Sequence, residues 1–170
     1  TLPKIAYCGM THLGLNSALA SAARKFNTLC FDQDEMLINE LNKGIFRIDE
    51  PDFETYYKDN RSRLEFSASA KDLSTCDIVY IAADVPTDDR GKSDLSGIKE
   101  LLNIVTAHIK EDCILVILSQ IPPGFTREHK RNNGETYYQV ETLIFGRAIE
   151  RAMFPERFIV GTENPDSLLP

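Results

Sequence analysis

The chain has no long hydrophobic run. No apolar run exceeds six residues, the length of Cys113 to Leu118, whereas a helix that crosses a bilayer needs roughly 20. A helical membrane span is therefore excluded. It also lacks an excess of positive charge, with 19 Lys+Arg against 26 Asp+Glu, a net charge of -7 and a pI near 5.0. Binding to a phosphate backbone or an anionic lipid surface needs a basic patch, so neither nucleic acid nor membrane is expected as a partner. The one basic cluster, Arg127 to Arg131, is interrupted by Glu128 and is expected to be a solvated loop. Closely spaced cysteines are missing too: Cys8, Cys30, Cys76 and Cys113 fit neither a zinc ribbon nor a CxxC pair. Each lies in or beside an apolar run, so buried, reduced thiols are expected, with no metal. The opening Thr1-Leu2-Pro3-Lys4 leads straight into a strand-like run, without the charged start and apolar stretch of a signal peptide. A cytoplasmic location is the expectation, and the sequon Asn60-Arg61-Ser62 carries no weight there.

What is present suits one globular domain: 170 residues, 42% hydrophobic and 26% charged, long enough for a single core without staples. Disorder and collagen-like composition are excluded. No repeats or low-complexity tracts interrupt the chain. Short apolar runs alternate with segments of helical period, the pattern of βαβ units and a parallel sheet. Strands are predicted at Ile5 to Cys8, Asn27 to Phe31, Leu64 to Ser67, Asp77 to Ala82, Cys113 to Leu118, Thr136 to Val140 and Phe158 to Val160. Helices are predicted over Leu15 to Lys25, over Glu35 to Leu41 with Gly44 as a left-handed C-cap, and over Asp94 to His108. Residues 45 to 57 read as irregular because Glu50-Pro51 breaks the pattern. Pro122-Pro123-Gly124 ends regular structure, since neither proline donates to a ladder and glycine permits the turn. The fold class is thus α/β, a doubly wound, mostly parallel sheet.

One constellation carries chemistry. Strand Ile5 to Cys8 runs into Gly9-Met10-Thr11-His12-Leu13-Gly14, and Asp32 closes the next strand. A strand, a glycine turn and a helix, with an acid about 20 residues on at a strand end, is the dinucleotide-binding arrangement. Gly9 allows the tight turn, Gly14 lets the helix pack closely, and free amides at the helix start suit a pyrophosphate. Asp32 would accept from ribose hydroxyls and repel a 2′-phosphate, which favours NAD over NADP. Thr11 stands where a glycine normally permits close approach of the phosphates; its side chain either obstructs the cofactor or hydrogen-bonds it.

From here the chain resembles the N-terminal domain of the UDP-glucose/GDP-mannose dehydrogenases, nearly end to end. Lys4-Ile5-Ala6 through Gly14 resembles that family's first strand and turn, and Phe31-Asp32-Gln33-Asp34 the end of its second strand. Leu41-Asn42-Lys43-Gly44 with Glu50-Pro51 is similar to its "IN-G…EP" segment, and Gly91 with Asp94-Leu95-Ser96 to its "G…DLS" helix start. Ser119-Gln120-Ile121-Pro122-Pro123-Gly124-Phe125-Thr126 resembles "STVPPGTT", and Pro155 to Gly161 resembles "PERIVIG". Six matches in order at plausible spacing are hard to obtain by chance. The resemblance implies an enzyme that oxidises a nucleotide sugar to its uronic acid with two NAD, in polysaccharide biosynthesis. In the whole protein it implies a homo-oligomer.

The departures are as informative. The family's "VPTP" can be laid on Val85-Pro86-Thr87-Asp88 or, without a gap, on Ala83-Asp84-Val85-Pro86; the second register keeps the spacing to Gly91 and Asp94 and is preferred, and in it the cofactor-facing threonine becomes Val85. The threonine of "STVP" becomes Gln120, which still hydrogen-bonds but in another geometry. "PEFLREG" falls on Val140 to Gly146, where Glu141 keeps the first carboxylate while Ile144 and Phe145 replace the arginine and second glutamate. The resemblance thus implies cofactor contacts at Gly9, Met10, Thr11, His12, Leu13, Gly14, Asp32, Val85, Pro86 and Ser119, with Gln120 and Glu141 in catalytic positions. His12 stands where the family often has an aromatic residue, and packing beside the cofactor is its expected role. His108 and His129, and the pairs Tyr56-Tyr57 and Tyr137-Tyr138, are expected to be structural. None of the four cysteines matches the family's nucleophile, which with a catalytic lysine and most of the sugar site belongs to a C-terminal domain. Residues 1–161 are therefore expected to form the dinucleotide-binding domain and 162–170 the start of a connection, the isolated fragment being inactive. Two alternatives stand: a non-catalytic module that has lost the chemistry, or another dehydrogenase, of hydroxyacyl-CoA or 6-phosphogluconate type, that shares only the first domain. Glu50-Pro51 and the Pro155 to Gly161 segment speak against the second.

Overall fold

The computed structural model describes residues 1–164, 166 and 169. Seven strands form one sheet: β1 (Ile5–Cys8), β2 (Thr28–Phe31), β3 (Leu64–Ser67), β4 (Ile78–Ile81), β5 (Ile114–Ile117), β6 (Thr136–Gln139) and β7 (Val160–Gly161). Their order is β3-β2-β1-β4-β5-β6-β7, with every pair parallel except β6 with β7. The chain leaves β1 in one direction to build β2 and β3 and in the other to build β4 to β6. This makes the β1–β4 border the switch point, where α/β sheets open a crevice at the carboxyl ends of the strands.

The helices are α1 (His12–Ala23), α2 (Glu35–Asn42), α3 (Phe53–Asn60), α4 (Ser96–Thr106), α5 (Phe125–Glu128) and α6 (Ala148–Met153). Period-2 alternation sorts each strand between two cores. Ile5 and Tyr7 of β1, with Ile78 and Tyr80 of β4, face the layer of α1, α2, α3 and α6, which contributes Leu15, Ala18, Leu19, Ile38, Leu41, Phe53 and Ile149. Ala6, Cys8, Val79 and Ile81 face the opposite layer, with Ile98, Leu101, Leu102 and Val105 of α4 and Phe125 of α5. Burial on both sides is why the strands read as continuous apolar runs.

The four cysteines are free and buried, and burial pushes the Cys113 thiol up to about 11. Tyr137 is buried, and Tyr56, Tyr57 and Tyr138 are half-buried. Four local expectations differ from the structure. Residues 45 to 57 are not irregular throughout, because α3 begins right after Glu50-Pro51. Its buried face is only Phe53 and Asn60, too thin a stripe to read as a period. Helix α1 starts at His12 and not Leu15, because Thr11 caps it. The last strand is Val160–Gly161, displaced from Phe158 to Val160. The Arg127 to Arg131 cluster is not a free loop: Arg127 lies in α5, and the Arg131 guanidinium donates to the carbonyls of Lys110, Glu111 and Cys113. The 162–170 stretch, expected to begin a connection, lies partly outside the described residues.

Candidate cofactor-binding site

Because β1 to β6 run parallel, the segments that follow them gather at one edge of the sheet: Gly9 after β1, Asp32 after β2, Val85 and Pro86 after β4, Ser119 and Gln120 after β5, and Glu141 after β6. Gly9 turns the chain at φ +100, and a Cβ there would lie 3.0 Å from the Ala83 nitrogen. Gly14 is more constrained still, since a Cβ would sit 1.9 Å from the Gly9 carbonyl oxygen. Its glycine is required because α1 rests on the turn itself as well as on the sheet.

The Thr11 side chain is engaged within the protein. Its hydroxyl donates to the Ala82 carbonyl at 2.7 Å and accepts from the Gly14 amide at 3.1 Å. It is the N-cap of α1, and its hydroxyl is turned toward the protein. The Asp32 carboxylate accepts from the Met10 amide at 2.7 Å and, through its other oxygen, from the Asp34 amide at 3.0 Å. Asp32 therefore braces the turn. The amides of His12 and Leu13 are left without a partner among the described residues, as expected for a first helical turn. They form a ready anion cradle, and the residues present fit the pyrophosphate of a dinucleotide. A cleft of about 400 Å³ beside the turn is lined by Met10, Thr11, His12, Leu37, Arg47 and Phe145.

On the other side of the switch point, Gln120 Nε2 donates to Glu141 Oε1 at 3.1 Å, and the Leu143 amide donates to Glu141 Oε2 at 2.8 Å. The two candidate catalytic side chains are thus in contact. Ser119 is wholly buried, and its hydroxyl donates to the Ile81 carbonyl, which holds that side chain inside the sheet. Val85 packs on the core beneath α4, while the Pro86 carbonyl accepts from the Asp94 amide at 2.7 Å.

The residue given no role at the sequence level is Glu50, although its Glu-Pro pair was visible. Its side chain is 1% exposed and Oε1 lies 2.6 Å from His12 Nε2. The Gly146 and Ala148 amides donate to the same carboxylate at 2.9 and 3.3 Å. Burial works to raise its pKa, but the hydrogen bonds from His12, Gly146 and Ala148 and the His12 charge outweigh it and hold the carboxyl below its ordinary value. The Phe145 ring lies against His12 with centroids 4.2 Å apart. A buried acid is rare unless partnered. The signal available in sequence was the Glu50-Pro51 pair in a stretch with no period of its own.

Comparison with known proteins places this geometry. A family model described as the UDP-glucose/GDP-mannose dehydrogenase family, NAD binding domain, matches residues 3–168. Among curated relatives, the UDP-glucose 6-dehydrogenase of Rickettsia typhi is 30% identical over 96% of this chain and 40% of its own length. The Bacillus subtilis enzyme of the same name is 31% identical over 94% and 39%. The chain thus spans about two fifths of these relatives. A UDP-glucose dehydrogenase from Pyrobaculum islandicum has the same fold, with a TM-score of 0.86 at 23% identity, over 96% of this chain and 41% of that one. A GDP-mannose dehydrogenase from Pseudomonas aeruginosa gives 0.85 at 22%, over 94% and 41%. With the glycine turn, the braced aspartate and the paired Gln120 and Glu141 at one sheet edge, the chain belongs to the UDP-glucose/GDP-mannose dehydrogenase family, of which it is the NAD-binding domain.

Proposed function

We propose that this domain holds NAD across the carboxyl ends of β1 and β4 and that the whole protein oxidises the C6 alcohol of a UDP- or GDP-sugar to the carboxylate. The observation that carries the reading is the braced turn: two unpartnered amides at the start of α1, with Asp32 fixed beside them. Gly9 through Gly14 take the pyrophosphate, with the His12 and Leu13 amides donating. Asp32 keeps lone pairs for ribose hydroxyls, and its charge disfavours a 2′-phosphate, so NAD is preferred to NADP. Val85, Pro86 and Ser119 border the path toward the reacting end, Ser119 through its backbone. Bound NAD supplies a hydride acceptor. Gln120 orients Glu141, whose carboxylate stands ready to hold a proton or a water near the reacting carbon.

The nucleophile, the lysine and most of the sugar-binding surface belong to the part of the protein that this chain does not span. Homo-oligomer formation, a cytoplasmic location and a place in polysaccharide biosynthesis follow from family likeness. Among the described residues no helix is long and apolar enough to cross a membrane.

The test is calorimetric titration of the 170-residue chain with NAD and NADP, repeated on Asp32→Ala. The expected result is binding of NAD over NADP, weakened at least tenfold by the substitution, with no turnover of UDP-glucose by the fragment. Equal binding of both cofactors would remove the role given to Asp32. Absence of NAD binding would favour the non-catalytic alternative.

A further inference from the structure

The Glu50 carboxylate joins three segments far apart in sequence. One is its own loop before α3. The second is the cofactor turn, through His12 Nε2 at 2.6 Å. The third is the approach to α6, through the Gly146 and Ala148 amides. That third segment begins at Glu141, which accepts from the Leu143 amide, and runs past the Phe145 ring, which lies tilted against His12. His12 is the first residue of α1, so its backbone amide belongs to the anion cradle while its side chain holds Glu50. One residue therefore touches both the pyrophosphate position and the buried acid. Among the described residues, 144 to 147 make no other hydrogen bond or ion pair to the turn side of the sheet: Ile144 and Phe145 are 47% and 81% exposed, and Arg147 pairs locally with Glu150.

We propose that Glu50 is a positioning residue that fastens the Glu141-bearing segment to the cofactor turn through His12, so that filling the turn with NAD and ordering residues 141–148 are one coupled event. This rests on the placement of NAD at the turn proposed above. The physical basis is that a buried carboxylate with three donors cannot lose one cheaply, because each remaining bond depends on the charge staying in place. A shift of the His12 backbone toward a bound phosphate is thereby passed to Gly146 and Ala148. By linkage, anything that loosens those amides weakens NAD by the same factor.

The experiment uses the 170-residue chain. NAD affinity is measured by calorimetry, and the Gly146 and Ala148 amides are followed by NMR during the titration, in the wild type, Glu50→Gln and His12→Phe. His12→Phe keeps a ring against Phe145 and leaves Glu50 its two amide donors, so it remains informative if Glu50→Gln fails to fold. In the wild type, NAD is expected to shift both amides and slow their exchange. His12→Phe is expected to abolish that response and weaken NAD about 5- to 150-fold, the usual span of a coupling between sites, and Glu50→Gln to do at least as much. A wild type that binds NAD with Gly146 and Ala148 unmoved overturns the coupling and leaves the NAD site standing. So does a folded His12→Phe that keeps wild-type affinity and response. A wild type that binds no NAD overturns the site reading and the coupling with it.

Discussion

On the β1–β3 side of the switch point, β1 and β2 are buried at every position and α1 buries eight of its 12 residues. On the β5–β7 side, β6 has one buried position of four and α6 buries two of its six residues. Ile144, Phe145, Phe154, Phe158 and Ile159 stand exposed there. A cavity of about 340 Å³ between α1 and the segment after β6 is lined by the stacked Tyr7 and Tyr80 and reaches Glu141. The side that carries the turn is closed by its own residues and offers mainly backbone to a ligand. The other side presents side chains on loops, held by a few polar ties. The cofactor half is thus preorganised, whereas the half bearing Gln120 and Glu141 takes its shape from contacts such as Glu50.

The strongest way to break this contrast is Gly14→Ala. The added carbon meets the Gly9 carbonyl, and α1 must lift from the turn. A loss of about 3 kcal/mol is expected, overpacking outweighing alanine's better helix propensity, measured by urea denaturation. Glu50→Ala comes next, at about 2 to 3 kcal/mol, because it leaves the buried Ala148 amide, the Gly146 amide and His12 without their acceptor. Its acid behaviour sharpens the point. The Glu50 carboxyl lies below its ordinary value of 4.5 in the fold, so its stabilisation is complete above that value and is lost as pH falls through the folded one. Between pH 7 and acid pH the gap in stability between the wild type and Glu50→Gln should therefore narrow, and a constant gap would count against the ion pair. Thr11→Ala should cost about 1 kcal/mol through the lost cap, and Thr11→Gly less; the glycine should also bind NAD more tightly by admitting the phosphates more closely. On the open side, Ile144→Ser should change stability by about 0.5 kcal/mol or less, since that residue buries little. A cost as large as that of Thr11→Ala would show the second half to be better packed than described.

Much of this was legible in the sequence because local and global signals agreed. The strand runs, the glycine turn and Asp32 are patterns of period and spacing that led to the correct sheet, and the resemblance of six ordered segments led to the family. Glu50 escaped because its partners lie 38, 96 and 98 residues away, and no local period marks a side chain whose importance is set by distant amides. Thr11 escaped because a residue at a glycine position was weighed against the ligand alone, when the nearest polar groups were Ala82 and Gly14. Helix α3 escaped because tertiary packing of Phe53 and Asn60 outweighs a weak local preference.

The two edges of the sheet bear on how the chain behaves at high concentration. An unpaired strand edge is a template for adding strands from other molecules, and length and flatness make it a better one. Strand β7 is only two residues long and runs antiparallel to β6, and Pro155 precedes it. An incoming chain would find almost no ladder there, although Phe158 and Ile159 beside it are exposed. At the opposite edge, β3 carries the exposed Glu65, paired with Lys4, between the cationic Arg61 and Arg63 on one side and a short 3-10 turn on the other. One edge is protected by brevity and the other by charge, so clustering through the exposed apolar side chains should proceed without growth into fibrils.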